Sequence, residues 1–289
     1  MIRKKSFARR VLTLMVFKER HIVVNRFFSC LTKGDLEAQQ SQKFIALIEN
    51  IVSVLSPRGT NLTLKRVGGE GDGSYVLPEE FCSPKYYLIS GGIDNNNSFE
   101  FELADSGVKG IQVDNSINIP PKNHPNLEFV RKTIGDVQKH DWVALSELIN
   151  QTPQGKNLLL KLDIEGAEIA ALNQLDQSEL DKFDCLLFEL HNLSNIDDKV
   201  FAEKLMNFLH KIQIDFASVF VQANNACLAY NLAGMLIPDN IEVTFIRKKE
   251  TRSLESKDVK RIKSLTSKNN QMFAQINIDH ILCRGLVQQ

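Results

Sequence analysis

Apolar residues recur along this chain with two periods, and their alternation outlines its elements. Within 41–55, Phe44, Ile45, Leu47, Ile48, Ile51, Val52 and Leu55 keep the i, i+3, i+4, i+7 spacing of a helix with one buried stripe, ended by Pro57 and Gly59. Short β-rich runs follow at 74–77, 86–90, 110–113, from residue 126 onward, at 183–190, 216–221 and 241–248. Helical stretches separate them at 98–104, with Ser98 as the expected N-cap, and at 141–149, 168–175 and 201–212. This alternation predicts an α/β fold: a Rossmann-like, doubly wound, mainly parallel seven-stranded sheet with helices on both faces, plus an N-terminal helical extension.

The organising stretch is NLLLKLDIEGAE, 157–168. Leu158, Leu159, Leu160 and Leu162 make a buried strand that breaks abruptly into Asp163, Glu165 and Gly166 before a helix begins. Acids and a glycine at that junction are what a parallel sheet presents at its ligand-binding edge. Three domain segments are expected: a basic helical extension over 1–60, the sheet domain over 61–249, and a charged arm with a C-terminal segment over 250–289. The arm reads as a solvated helix or flexible stretch, and INIDHILCRGL as an added edge strand.

Composition narrows the function. Lys plus Arg and Asp plus Glu both number 35, so no overall field recruits nucleic acid. The basic N-terminus has no apolar run of membrane-spanning length; a charged amphipathic helix is its first reading and a weak peripheral membrane contact its second. Cys30, Cys82, Cys185, Cys227 and Cys283 are scattered and contain no C-x-x-C pair, which suits a reducing cytoplasm and excludes a disulfide framework.

Candidate chemistry gathers at the glycine-rich turns. Gly68, Gly69, Gly71 and Gly73 crowd around Asp72, where free backbone N–H groups can meet an anion. Gly91 and Gly92 turn from one strand toward the helix at 98–104, with Asp94 beside them. Asp114, followed by Asn115, stands at the next strand end, about 20 residues on, where a ribose-holding acid is expected. Gly135 and Asp136 form a later turn at which an adenine ring would lie.

Together these segments resemble the FkbM-type family of S-adenosylmethionine-dependent methyltransferases. KLDIEGAE (161–168) carries the resemblance furthest, supported in order by GDGSYV (71–76), SGGIDNNNSFE (90–100), VDNS (113–116) and FDCLLFELHNL (183–193), with residues 224–248 similar to the tail of one subgroup. The first turn departs from the D-x-G-x-x-x-G pattern of many members, since Ser90 ends the strand and the glycines are Gly91 and Gly92. The resemblance implies methyl transfer from S-adenosylmethionine to an oxygen of a sugar or related small molecule. Gly69, Asp72, Gly73, Gly91, Gly92, Asp94, Asp114, Asn115, Gly135 and Asp136 would hold the cofactor. Asp163 or Glu165 would fix cofactor or acceptor, and His191 would be the candidate base.

Two other classes compete. A dinucleotide oxidoreductase requires a G-x-G-x-x-G turn, which is absent. A noncatalytic binding protein predicts lost acids, yet Asp114, Asp163 and Glu165 stand. Asp163, Glu165, Glu189 and His191 could converge on a divalent cation, but their spacing is not diagnostic and no metal is expected.

Overall fold

A computed structural model describes residues 41–135 and 140–286. The expectations for the basic segment 1–40 and for Asp136 lie outside the described residues. Seven strands form the central sheet: β1 (Tyr86–Gly91), β2 (Lys109–Val113), β3 (Leu127–Val130), β4 (Asn157–Leu162), β5 (Phe183–Leu190), β6 (Phe216–Ala223) and β7 (Ile241–Arg247). Their spatial order is β3-β2-β1-β4-β5-β7-β6. The first five run parallel, while β7 is antiparallel to both β5 and β6. The chain builds outward from β1 to β3 and then restarts with β4 on the other side of β1. That reversal is the switch point at which open parallel sheets bind ligands, and it defines a Rossmann-like, doubly wound fold.

β4 is central because five of its six residues are buried, which a strand covered on both faces requires. Helices α1 (Gln42–Leu55), α2 (Ser98–Asp105), α3 (Leu145–Asn150), α4 (Glu168–Asn173), α5 (Lys199–Asp215) and α6 (Ser256–Leu265) accompany the sheet. α1, α4 and α5 pack together. Phe208 of α5 meets Phe188 of β5 edge-on at 5.3 Å, and Phe188 also meets Phe245 of β7. The preceding residue, Thr244, faces the other way and donates to the Val76 carbonyl at 2.5 Å. A hairpin of Leu64–Val67 and Tyr75–Pro78 therefore covers the sheet face opposite α5.

Four expectations are corrected. Ser98 is not the N-cap of α2: Asn97 holds that position, and the Ser98 hydroxyl donates to the Gly68 carbonyl. The helix expected over 141–149 is only Leu145–Asn150, because Trp142–Val143 pairs with Thr133–Ile134. The C-terminal segment adds no edge strand. Ile281 and Leu282 of the short helix Asp279–Leu282 and its N-cap Ile278 are buried, and their i, i+3, i+4 spacing overrides the local alternation of INID. Nor is the charged stretch merely solvated. Val259 and Ile262 of α6 join the same core as Ile48, Ile51, Val52 and Leu55 of α1. Arg252 clamps the buried Asp258 through both nitrogens at 2.7 and 2.9 Å. Among the described residues, no helix is long and apolar enough to cross a membrane, and Cys82, Cys185, Cys227 and Cys283 are free.

Candidate functional site

The site is built where β1 and β4 end side by side. Gly92 has φ +77, and a Cβ there would run into the Asp163 carbonyl oxygen. Only glycine lets the β1 turn pass this close to β4. The turn is held from three directions. Gly92 N–H donates to the Val113 carbonyl at 3.0 Å, Asp163 N–H donates to the Gly91 carbonyl at 3.0 Å, and the Lys161 ammonium donates to the Gly92 carbonyl. Asp114 completes it: Oδ2 accepts from the N–H groups of Ile93 and Asp94 at 2.8 Å each, and Oδ1 accepts from Ser116 N–H and Oγ at 2.7 and 2.6 Å. Burial alone would raise this carboxyl, but those bonds outweigh it and hold the pKa below the ordinary range. All four acceptor positions are thus engaged within the turn, and a ribose hydroxyl could reach Oδ1 only in place of Ser116.

The glycine-rich loop joins this turn. Ser98 ties the Gly68 carbonyl to the start of α2, Gly68 N–H donates to Glu102 at 2.9 Å, and Asn96 donates to the Asp72 carbonyl at 2.7 Å. Gly69, Asp72, Gly73, Gly91, Gly92, Asp94 and Asp114 are therefore brought to one locality, with Asn115 exposed beside it. Gly135 stands at the end of Thr133–Ile134, its N–H bonded to the Val143 carbonyl, and the ring of Trp142 occupies the space a side chain there would need.

Across the switch point lies a cluster of charges. Glu165 and Gly166 both have positive φ, at 56° and 99°, so the chain leaving β4 doubles back before α4. Glu168, with no solvent exposure, closes that loop: Oε1 accepts from Ile164 and Gly166 N–H at 2.7 and 3.2 Å and from His191 Nδ1 at 3.0 Å. His191 follows β5 and turns Nε2 toward Asp163 Oδ1, Glu165 Oε2 and Glu189 Oε1, each at 3.8 Å. Burial opposes charge on the imidazole, but the bond to Glu168 and the fields of Glu168, Glu189 and Asp163 prevail and raise its pKa. Burial, reinforced by Asp163 and Glu242, pushes Glu189 up as well. Tyr75, from the covering hairpin, donates to Asp163 Oδ2 at 2.6 Å, and its phenol is held neutral by burial and by Asp163.

Lys161, quoted within the motif but given no role from sequence, is buried here with Asp163 and Glu100 each 3.8 Å from its ammonium. Tyr75, Glu100, Glu168, Asn224 and Glu242 likewise lay inside the quoted segments without a role. The only available signals were Lys161 interrupting an apolar run and a charged Glu168 in the first turn of an otherwise apolar helix.

A sheet of this order, with its reversal beside β1, places the chain among Rossmann-like α/β proteins. No protein-family model matches the chain, and no curated protein matches it. Among solved structures it is similar to a chain in the crystal structure of a fibrillarin/Nop5p complex, at 10% identity over 57% of this chain and 73% of that one, with a TM-score of 0.35. It is also similar to the 23S rRNA methyltransferase ErmE, at 11% identity over 63% of this chain and 70% of that one, with a TM-score of 0.32. At these TM-scores the likenesses stand as observations, and the fold assignment rests on strand order.

Proposed function

We propose that this protein is an S-adenosylmethionine-dependent methyltransferase acting on a hydroxyl oxygen of a sugar or glycan-related small molecule. The observation that supports this reading is spatial. Segments that resemble FkbM-type enzymes, scattered over 71–193 in sequence, meet at the ends of β1, β2, β4 and β5. In this reading the Gly68–Gly73 and Gly91–Gly92 turns would hold the methionine end through groups other than the Gly68 and Gly92 N–H groups, which bond to Glu102 and Val113. Asp114, beside Asn115, would take ribose hydroxyls in exchange for Ser116, Gly135 would stand on the adenine side, and Asp163 would face the methyl end.

The sulfonium is a good leaving group, so the protein's work is to align the acceptor, exclude water and remove one proton. When bound, S-adenosylmethionine would supply the methyl group and leave as a neutral thioether, its C–S bond exchanged for the new C–O bond. Asp163, fixed by Tyr75, orients the hydroxyl. His191, its Nδ1 bonded to Glu168 and its Nε2 facing Asp163, Glu165 and Glu189, stands as a candidate base beside Glu165. The Glu165 carboxylate is the solvent-open member of the cluster, its side chain 90% exposed, and can pass a proton to water.

Isothermal titration with S-adenosylhomocysteine, with NAD as control, tests the reading. Micromolar binding of the first alone supports it; binding of NAD alone, or of neither, overturns it.

A further inference from the structure

The cluster at the ends of β4 and β5 has a geometry that methyl transfer by itself does not require. One ligand atom each from Asp163, Glu189 and His191 lie within 4.8 Å of one another. His191 Nε2 stands 3.8 Å from Asp163 Oδ1 and from Glu189 Oε1. That is too long for a hydrogen bond and lies between the adjacent and opposite spacings of ligands sharing one ion. Two ligands each at ~2.1 Å from a hexacoordinate cation are about 3 Å apart when adjacent and ~4.2 Å apart when opposite. A movement of about 1 Å or less in the side chains closes the three onto one centre.

A second feature points to a ligand independently of the acids. His191 is 94% buried, being 6% exposed, and its Nδ1 donates to Glu168 Oε1, which two backbone N–H groups hold in place. A carboxylate behind a histidine in this way fixes the ring so that its other nitrogen points forward, as in metal-ligating histidines. That nitrogen, Nε2, makes no hydrogen bond among the described residues and is aimed into the cluster. The acids are oriented too. Tyr75 holds Asp163 through Oδ2, leaving Oδ1 toward His191, and Asn224 and Asn240 hold Glu189 at 2.7 and 3.2 Å. Glu165 and Glu168 add negative charge nearby, and the ammonium of Lys161 reaches Asp163 alone among the three.

We infer that Asp163, Glu189 and His191 form a binding site for one divalent cation of the Mn2+ or Mg2+ type, open to the cleft at the ends of β4 and β5. Two carboxylates and one imidazole suit Mn2+ among hard divalent ions. This departs from the expectation of no metal drawn from sequence spacing. What the cation does rests on the methyltransferase reading. It would hold the acceptor oxygen, lower the pKa of its hydroxyl, and favour acceptors with two adjacent oxygens, such as vicinal diols; the displaced proton leaves through Glu165 to water. The binding site itself does not depend on that reading.

The test is Mn2+ binding to the full chain after EDTA treatment and dialysis, followed by the loss of the free-ion electron paramagnetic resonance signal. The expected result is one saturable Mn2+ per chain, weakened at least about tenfold by Glu189→Gln and by Asp163→Asn. Glu203→Gln, on the exposed side of α5, should leave the affinity unchanged. Absence of saturable binding below millimolar Mn2+, or equal affinity in both site variants, would overturn the inference. Should Glu189→Gln fail to fold, as judged by circular dichroism, Asp163→Asn decides alone, because its side chain is partly exposed. Titration of the same samples with S-adenosylhomocysteine separates the two proposals. Mn2+ without S-adenosylhomocysteine removes the methyltransferase reading and keeps the site; the reverse removes the site and keeps the reading.

Discussion

Single residues in this protein carry roles that their positions announced and others that they concealed. Asp114 was legible from its distance behind the glycine turn, but the structure engages both of its oxygens in holding that turn. Asp114→Ala leaves three backbone N–H groups without their acceptor and should cost about 1–3 kcal/mol in denaturant unfolding. On the proposed function it also weakens S-adenosylhomocysteine binding in calorimetry, because the turn loses its shape. Glu165→Gln removes a carboxylate that makes no hydrogen bond to the scaffold among the described residues. Turnover should fall at least about tenfold while S-adenosylhomocysteine affinity is nearly kept, a split read from kcat and calorimetry. Lys161 and Glu168 stood in the motif without a role for a common reason: each looks like a surface charge in a local window, and only the layers packed over them make them buried.

At the level of elements, the two turns that end β1 and β4 are one construction. The Gly92 turn fits under the Asp163 carbonyl, and Glu168 folds the loop that starts there. Gly92→Ala imposes a side chain at φ +77 where the neighbouring backbone already lies, so it should destabilise the fold by about 2 kcal/mol or more. Thermal unfolding checks this, and Gly155→Ala is a useful contrast: it shares φ +77 but its Cβ meets nothing within 4 Å, so the strain is present without the collision. The sequence located both turns by composition. It could not show that they touch, because β1 and β4 become neighbours only through the reversal at the switch point.

Across the whole molecule, strand pairing lines polar residues along one face of the sheet. Gln112, Ser90 and Lys161 lie side by side on β2, β1 and β4, and Glu189, Glu242 and Gln222 lie side by side on β5, β7 and β6. The hairpin and the C-terminal segment roof the second group: Arg66 donates to Gln222 at 2.8 Å, and Asn269 donates to Glu242 at 2.6 Å. Burial raises Glu242 to about 7, despite the bonds from Asn269 and Gln222 and the charge of Arg66 that favour its ionised form. A carboxyl with a folded pKa above its unfolded value of 4.5 stabilises the fold below that value. The contribution, on the order of 3 kcal/mol, is lost as pH rises toward 7 and beyond. The melting temperature should therefore fall between pH 5 and pH 8, and Glu242→Gln should flatten that slope in a thermal scan. By itself, the sequence determined the alternation of strands and helices, the central β4, the glycine turns and the strand-end acids, because those are written in local periods and punctuation. Only the tertiary structure decided the antiparallel β7, the packing of the C-terminal segment into the core, and the meeting of Asp163, Glu189 and His191. Strand order and face alignment depend on contacts between residues far apart in the chain, and no local pattern encodes them.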